Sequence, residues 1–459
     1  MSSDKINQLF WLYYGQAIKD KAGANFGKTG AFFLATEAQK GPVAGDYIPD
    51  EYTYQGLYDI GNNLLATDNL FYNPSALHGY YEAIGTYLNW VDLQGKPDAK
   101  LDAALLSALQ DQAAMQKKYA TERANAASQW KDDKDLGLTT LGFYDWVYSG
   151  NAPAFIAAQK QLAQIGSTIQ NIQNQIAGPM AATINKDRSK YDQGSDQQKD
   201  WPGVNMHGAF GNILSPAELV RKANAGEKVP PPDFQRIPAF NAPKYKAAVQ
   251  AAMRKATGDY TPENSVSFTI DTGKNTSDFD FGQTSGSASV SASTFCGWFS
   301  FNASASHSEE STRLETGSDS TNVSVKITYD TIELVDIVPG SWNIDTSKYK
   351  LRSDAPKDVK ALARVSQLVI ATGLGYEITV GASTASTIDT KYKETSSAGG
   401  SISIFGIPIG IGGGGSHSEE HDSHKATWDS ASKTFKVTPA ADVGFATVVG
   451  LVGEKLNIL

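Results

Sequence analysis

The chain has 459 residues, a formal net charge of −9 and one cysteine, Cys296. That length can bury a large core and predicts two domains, while a lone thiol rules out an internal disulfide framework and any cysteine-based zinc or iron–sulfur centre. Acidity without a run of Lys or Arg argues against nucleic acid as a partner and against electrostatic capture by anionic lipid.

The opening residues, MSSDKINQLFWLYYGQ, lack the charged, apolar and cleavage regions of a signal peptide. The expected location is cytoplasmic, or outside the cell by a non-classical route. No window approaches 18 consecutive apolar residues, so a soluble chain without a transmembrane helix is expected. Residues 1–95 are dense in aromatics, from Trp11, Tyr13 and Tyr14 to Tyr87 and Trp90. Rings at this density, broken by Gly and Pro, predict short helices and loops around a core of large side chains.

From Asp98 the spacing turns helical, with Leu101, Leu105, Ala108, Met115 and Tyr119 on one face up to about Trp130. A second helix is predicted over about 152–190, opened by Pro153 and carrying a heptad seam of Phe155, Leu162, Ile169 and Ile176, with Ile165 and Ile172 between. Gly178 and Pro179 should kink or end it. The short connection from Leu136 to Tyr148 makes the two an antiparallel pair. Residues 161–185 carry no charge. Such a helix is either buried between layers or able to enter a membrane, where Gln and Asn cost far less than Lys or Glu.

Prolines punctuate the following stretch, where Lys244–Thr257 should form a helix, and a linker is placed at 236–262. It separates a helical domain, 1–235, from a β domain, 263–459. Period-two alternation then takes over at Val266, Phe268 and Ile270, at Val323, Val325 and Ile327, and again at Tyr376, Ile378 and Val380. A helix from Pro356 to about Ser366 is expected to link two related units, 263–350 and 367–459. Residues 286–313 and 397–423 share one plan: a small-residue strand, an apolar knot, a Ser, Ala or Gly descent, and His-Ser-Glu-Glu. The fold class read from this is α+β, with a long antiparallel helix pair followed by a duplicated antiparallel β domain.

The strand phase flips near Thr294–Trp298 in the first unit and at Phe405–Gly406 in the second, which predicts two hairpins. Their tips are Phe295, Trp298, Phe299, Phe405, Ile407 and Ile409, whereas tips facing water carry Asn, Gly, Asp or Ser. Either the tips pack on each other or under the helical layer, or they are apolar edges that meet a bilayer with Trp298 at headgroup depth. In the repeated motif His307 with Glu309, and His417 with Glu419, share strand faces, and His421 and His424 stand nearby. This set is a solvated arm terminus, a divalent-metal site, or a protonation switch. No phosphate loop, nucleophile elbow, HExxH or EF-hand sequence is present.

The plan of aromatic start, two long helices and doubled Gly/Ser hairpin unit resembles a set of fungal and bacterial helical-plus-β proteins. The β half resembles pore-forming toxins in the style of its Ser/Thr-rich amphipathic hairpins, without an aerolysin or perforin signature. The function expected is membrane activity of pore-forming type, by a homo-oligomer on neutral or sterol-containing lipid, through the two hairpin tips. The alternative is an intracellular enzyme of secondary metabolism, cyclase-like or metal-dependent, with its pocket between the two domains.

Overall fold

In the computed structural model the described residues are 3–25, 29–45, 48–67, 69–72, 79–95, 98–139, 141, 143–176, 178–210, 214, 218–219, 221–222, 225–229, 231–255, 261–282, 297–302, 311–314, 317–355, 362–411, 424–439 and 446–456. The chain is an α+β protein. Its elements begin with α1 (Ser3–Ala22), β1 (Gly30–Lys40), α2 (Asp50–Gly61), β2 (Leu64–Ala66), β3 (Phe71–Tyr72), α3 (Tyr80–Asn89), α4 (Ala99–Asp135), α5 (Phe143–Trp146), α6 (Pro153–Ile176) and α7 (Ala181–Asp192). They continue with β4 (Asn205–Ala209), β5 (Phe234–Pro238), β6 (Phe240–Asn241), α8 (Pro243–Lys255), β7 (Asn264–Thr269), β8 (Phe299–Asn302), β9 (Ser311–Arg313), β10 (Ser324–Tyr329), β11 (Thr331–Asp336) and β12 (Val338–Pro339). The chain closes with β13 (Leu362–Thr372), β14 (Gly375–Thr379), α9 (Ala382–Ser397), β15 (Ser401–Ile404), β16 (Ile407–Gly410), β17 (His424–Asp429), β18 (Thr434–Pro439) and β19 (Thr447–Lys455).

Among the described residues the largest sheet runs β11-β13-β19-β1-β3, with β2 beside β13. Residues 31–35 of β1, 368–371 of β13 and 448–452 of β19 read as nearly unbroken apolar runs, because both of their faces are buried. Phe32 and Leu34 of β1 face one core with Val369, Ala371, Val449 and Val452; Phe33 faces the other with Leu368, Ile370, Val448 and Leu451. Helices α2 and α3 cover the second face with Leu57, Ile60, Tyr80, Tyr81, Ile84 and Tyr87. The early aromatics are therefore core, placed by a sheet made largely of C-terminal strands.

That sheet revises the domain division. Strand β1 pairs antiparallel with β19, from Gly30 opposite Glu454 to Lys40 opposite Thr447, and β2 pairs with the start of β13. The boundary expected at 236–262 separates no independent cores, since residues on either side of it share one sheet. The helix expected from Pro356 is also corrected: 356–361 lie outside the described residues, and from Leu362 the chain is strand β13.

The duplicated units feed the sheets in parallel fashion. The first contributes the antiparallel pair β7–β10 and the second β14–β18, and β10 joins β14 in the order β17-β18-β14-β10-β7. Strand β11 of the first unit and β19 of the second both enter the largest sheet. The middle of α1, Leu9–Tyr14, is apolar all round, as a helical stretch enclosed by protein must be. Ile6, Leu9, Phe10, Trp11, Leu12, Tyr14 and Ile18 are buried in the core that all three larger sheets share.

Candidate functional site

The two predicted tips meet in one four-stranded sheet, β16-β15-β8-β9. In the second unit the phase flip is a two-residue hairpin loop, with φ of +45° at Phe405 and +78° at Gly406, the pattern of a type I′ turn. Glycine adopts that region freely, whereas a phenylalanine there works against its own Cβ. Descending strand β8 of the first unit lies against rising strand β15 of the second, Phe299 opposite Ile404 and Phe301 opposite Ile402. The Phe405 amide donates to the Trp298 carbonyl at 2.8 Å, so the tips are joined through the backbone. Phe295 and the rising arm of the first hairpin lie outside the described residues.

Trp298, Phe299, Phe405, Ile407 and Ile409 are all fully buried. This corrects the expectation that they stand as exposed edges ready to touch lipid. Helix α1 covers them: Phe10 stacks on Trp298 with centroids 4.1 Å apart, Tyr14 stacks on Phe405, and Trp11 meets Phe405 edge-on at 5.4 Å. Ring-on-ring packing in a dry core satisfies apolar tips better than water does. Two features of the arrangement are costly. The Trp298 indole Nε1 is buried with no hydrogen-bond partner among the described residues, and Phe405 holds its left-handed backbone.

Of the histidine set, His307, Glu309, His417, Glu419 and His421 lie outside the described residues. His424 is buried at the start of β17 and donates from Nε2 to the Leu374 carbonyl at 2.8 Å, so that nitrogen is occupied within the sheet. Among the described residues no group of three or more His, Cys, Asp or Glu is placed to hold a metal ion.

The helical pair carries the feature that sequence reading passed over. α4, with 37 residues, extends about 55 Å. α6 lies antiparallel along it: Leu105 and Leu109 pack with Ile169 at one end, while Ala126 and Trp130 pack with Trp146 and Phe155 at the other. Helix α6 ends at Ile176 and α7 begins at Ala181, so Gly178 and Pro179 do break the helix expected to reach 190. The reading of α6 as a helix buried between layers is corrected, because Gln161, Gln164, Ser167, Thr168, Gln170, Asn171 and Asn174 are exposed. It presents an uncharged amide and hydroxyl face to solvent.

At the turn of this pair stand four of the six exposed large apolar side chains among the described residues: Leu136 (73 %), Leu138 (71 %), Tyr148 (56 %) and Leu141 (40 %). Two buried indoles fix the turn. Trp130 Nε1 donates to the Leu141 carbonyl at 3.0 Å, and Trp146 Nε1 donates to Asp133 Oδ2 at 2.9 Å. The Leu138 amide donates to the Asp133 carbonyl at 2.8 Å. An apolar cluster held outward by buried hydrogen bonds is a built surface. The sequence signal was present as three leucines and a tyrosine within a connection of the kind that is ordinarily polar. Comparison with protein-family models, curated proteins and solved structures finds no match to this chain.

Proposed function

We propose that the chain is a membrane-active, oligomerising protein of pore-forming type whose first contact with a neutral bilayer is the turn that carries Leu136, Leu138, Leu141 and Tyr148. The carrying observation is the clustering of exposed apolar side chains on a hydrogen-bonded turn. Full burial of each is worth about 1.5–3 kcal/mol, enough for neutral lipid to bind without charge attraction. From Gln161 on the outer face of α6 is uncharged, which supports the same reading, since approach of that stretch to an apolar phase desolvates no ion. No described helix is long and apolar enough to cross a membrane, so any spanning step falls to β segments. The buried tips beneath α1, with an indole unpartnered among the described residues and a left-handed Phe405, are the elements we assign to that later step.

The test is flotation with phosphatidylcholine vesicles, with and without cholesterol, comparing the native chain with Leu136→Ser/Leu138→Ser. Both positions are exposed, so the fold should persist while binding falls by about 100-fold or more. Equal flotation of the two proteins would overturn the reading. Chemical crosslinking on the vesicles then reads the oligomer.

A further inference from the structure

Helix α1 lies between two layers. On its inner side Phe10, Trp11 and Tyr14 cover the tips of both hairpins through Trp298 and Phe405. On its outer side the chain after β7, residues 270–282, crosses it as a strap, with Ile270, Phe279 and Phe281 buried in the same core. The Asp271 amide donates to the Tyr13 hydroxyl at 3.2 Å, Lys19 Nζ donates to the Asp280 carbonyl at 2.6 Å, and Lys5 Nζ donates to Asn275 Oδ1 at 3.2 Å. The Phe279 ring meets Tyr13 edge-on at 5.2 Å, and Lys19 Nζ lies 5.5 Å from the centre of the Phe281 ring. After Gly282 the strap runs on in sequence toward Trp298, so one length of chain covers α1 and leads to a tip that α1 covers.

Three properties mark this packing as a closure. First, each of these three hydrogen bonds to the strap is exposed, so water replaces it at little cost. Toward the tips the contact is ring on ring and carries little direction, apart from the Tyr14 and Tyr376 hydroxyls at 3.2 Å. Second, the covered elements are strained: Trp298 Nε1 lacks a hydrogen-bond partner among the described residues, and Phe405 is left-handed. Third, α1 ends at a point where the chain can turn. Gly23 has a φ of +64°, its amide donates to the Asp20 carbonyl at 3.2 Å, and a Cβ there would meet nothing within 4 Å. A glycine in open space absorbs a change of direction without a clash.

We propose that α1 is an autoinhibitory cover, docked in water and released about Gly23 when the chain meets an apolar phase, so that the tips at Trp298 and Phe405 leave the core for lipid; this step rests on the membrane reading above and supplies its trigger. In water the release is uphill twice, since it exposes the rings of α1 and those of the tips together. At a bilayer both sets find an apolar phase. The middle of α1 is flanked by Asp4 and Lys5 at one end and by Lys19, Asp20 and Lys21 at the other, and it carries Trp11, Tyr13 and Tyr14. Charged ends around an apolar, aromatic middle suit a helix lying in the interface. The two contacts are then successive: the turn at Leu136–Tyr148 brings the chain to lipid, and lipid removes the cover.

The experiment locks the cover reversibly. Tyr13 of α1 and Phe268 of β7 stack with centroids 6.1 Å apart and both are half-buried, so Tyr13→Cys/Phe268→Cys in a Cys296→Ser chain can be joined by a thiol-cleavable bismaleimide. Flotation with phosphatidylcholine–cholesterol vesicles reads binding, and release of trapped carboxyfluorescein reads the step that follows. The locked chain should float as the native chain does yet release dye about tenfold more slowly, and reduction should restore the rate. Tyr13→Phe/Lys19→Met removes two of the outer hydrogen bonds and should release dye about fivefold faster at equal flotation. This variant decides the matter should the cysteine pair disturb the fold. Equal release by locked and reduced chains, no acceleration in the loosened variant, or flotation of the native chain without release would each overturn the proposal while leaving the lipid contact of the turn in place. A native chain that does not float would overturn both.

Discussion

Tyr14 and Phe405 lie ring on ring, centroids 4.1 Å apart and planes within 6°. The pair ties the first helix of the chain to a hairpin loop nearly 400 residues later, and the Tyr14 hydroxyl continues the contact to that of Tyr376 at 3.2 Å. Burial pushes both phenols well above the ordinary tyrosine value. The apolar loop is thus closed over by helix α1, and its backbone conformation is held by packing against local preference.

That conflict makes Phe405 a position where two substitutions separate two effects. Phe405→Ala removes a fully buried ring and keeps a Cβ in the left-handed region; about 3–5 kcal/mol of stability should be lost. Phe405→Gly removes the same ring and also relieves the backbone, so it should be the more stable of the two by about 1 kcal/mol. Urea denaturation of the two variants decides it. Equal stability, or a less stable glycine variant, would mean that the turn carries no backbone strain.

Trp298 and Trp342 offer a second comparison. Both are fully buried, but Trp342 Nε1 donates to the Ala239 carbonyl at 2.8 Å and Trp298 Nε1 donates to nothing among the described residues. Replacement by Phe leaves a similar void at each site. At Trp342 it also removes a buried hydrogen bond, the Ala239 carbonyl keeping only its bond from the Gly340 amide at 2.7 Å, while at Trp298 it removes an unsatisfied donor. Trp342→Phe should therefore cost about 1–3 kcal/mol more than Trp298→Phe. A larger loss at Trp298 would show that its indole is satisfied after all.

These residues also mark how far the sequence could be read. Period-two alternation located β7, β10 and β14, and helical spacing located α4 and α6, because each element buries one face and its apolar residues repeat at the matching interval. The flip at Phe405–Gly406 was legible for the same reason, since one residue of phase moves every side chain to the other face. Strand β1 was not legible: GAFFLA is buried on both faces, so it does not alternate, and its partner β19 lies at the far end of the chain. The burial of the tips turned on α1, whose apolar cluster says nothing by itself about what it covers. The turn at Leu136–Tyr148 was read only as a connection, since its interest lies in exposure, which spacing does not report.

Helix α6 provides a matched pair of glycines for testing its attachment. A Cβ on Gly178, just beyond the helix, would fall 1.7 Å from the Leu93 carbonyl oxygen and 2.7 Å from the Gly95 amide nitrogen, whereas one on Gly166 would meet nothing within 4 Å. Gly178→Ala forces backbone apart and should destabilise by about 1–3 kcal/mol or more. Gly166→Ala, inside a helix with open space around it, should stabilise by about 0.5–1 kcal/mol. Thermal melting of both variants reads the two signs, and a neutral Gly178→Ala would mean that the segment after α6 is not seated against residues 93–95.

The same accounting of environment gives Asp59 a signature in pH. Desolvation raises its carboxyl from 3.8 to about 6, with the Gln55 hydrogen bond opposing the rise. The folded chain therefore holds this proton more tightly than the unfolded chain does. By linkage, the contribution is fully present below pH 3.8 and is lost as pH rises through about 6, where the folded protein must carry a crowded charge. Asp59→Asn removes that charge and keeps an oxygen able to accept from Gln55. The variant should melt above the native chain at pH 8, the difference shrinking through pH 6 and vanishing near pH 4. Because the carboxyl is open to solvent, the sign and the pH window carry the test more than the size. A difference that grows toward acid would place Asp59 in a charge-stabilised setting instead.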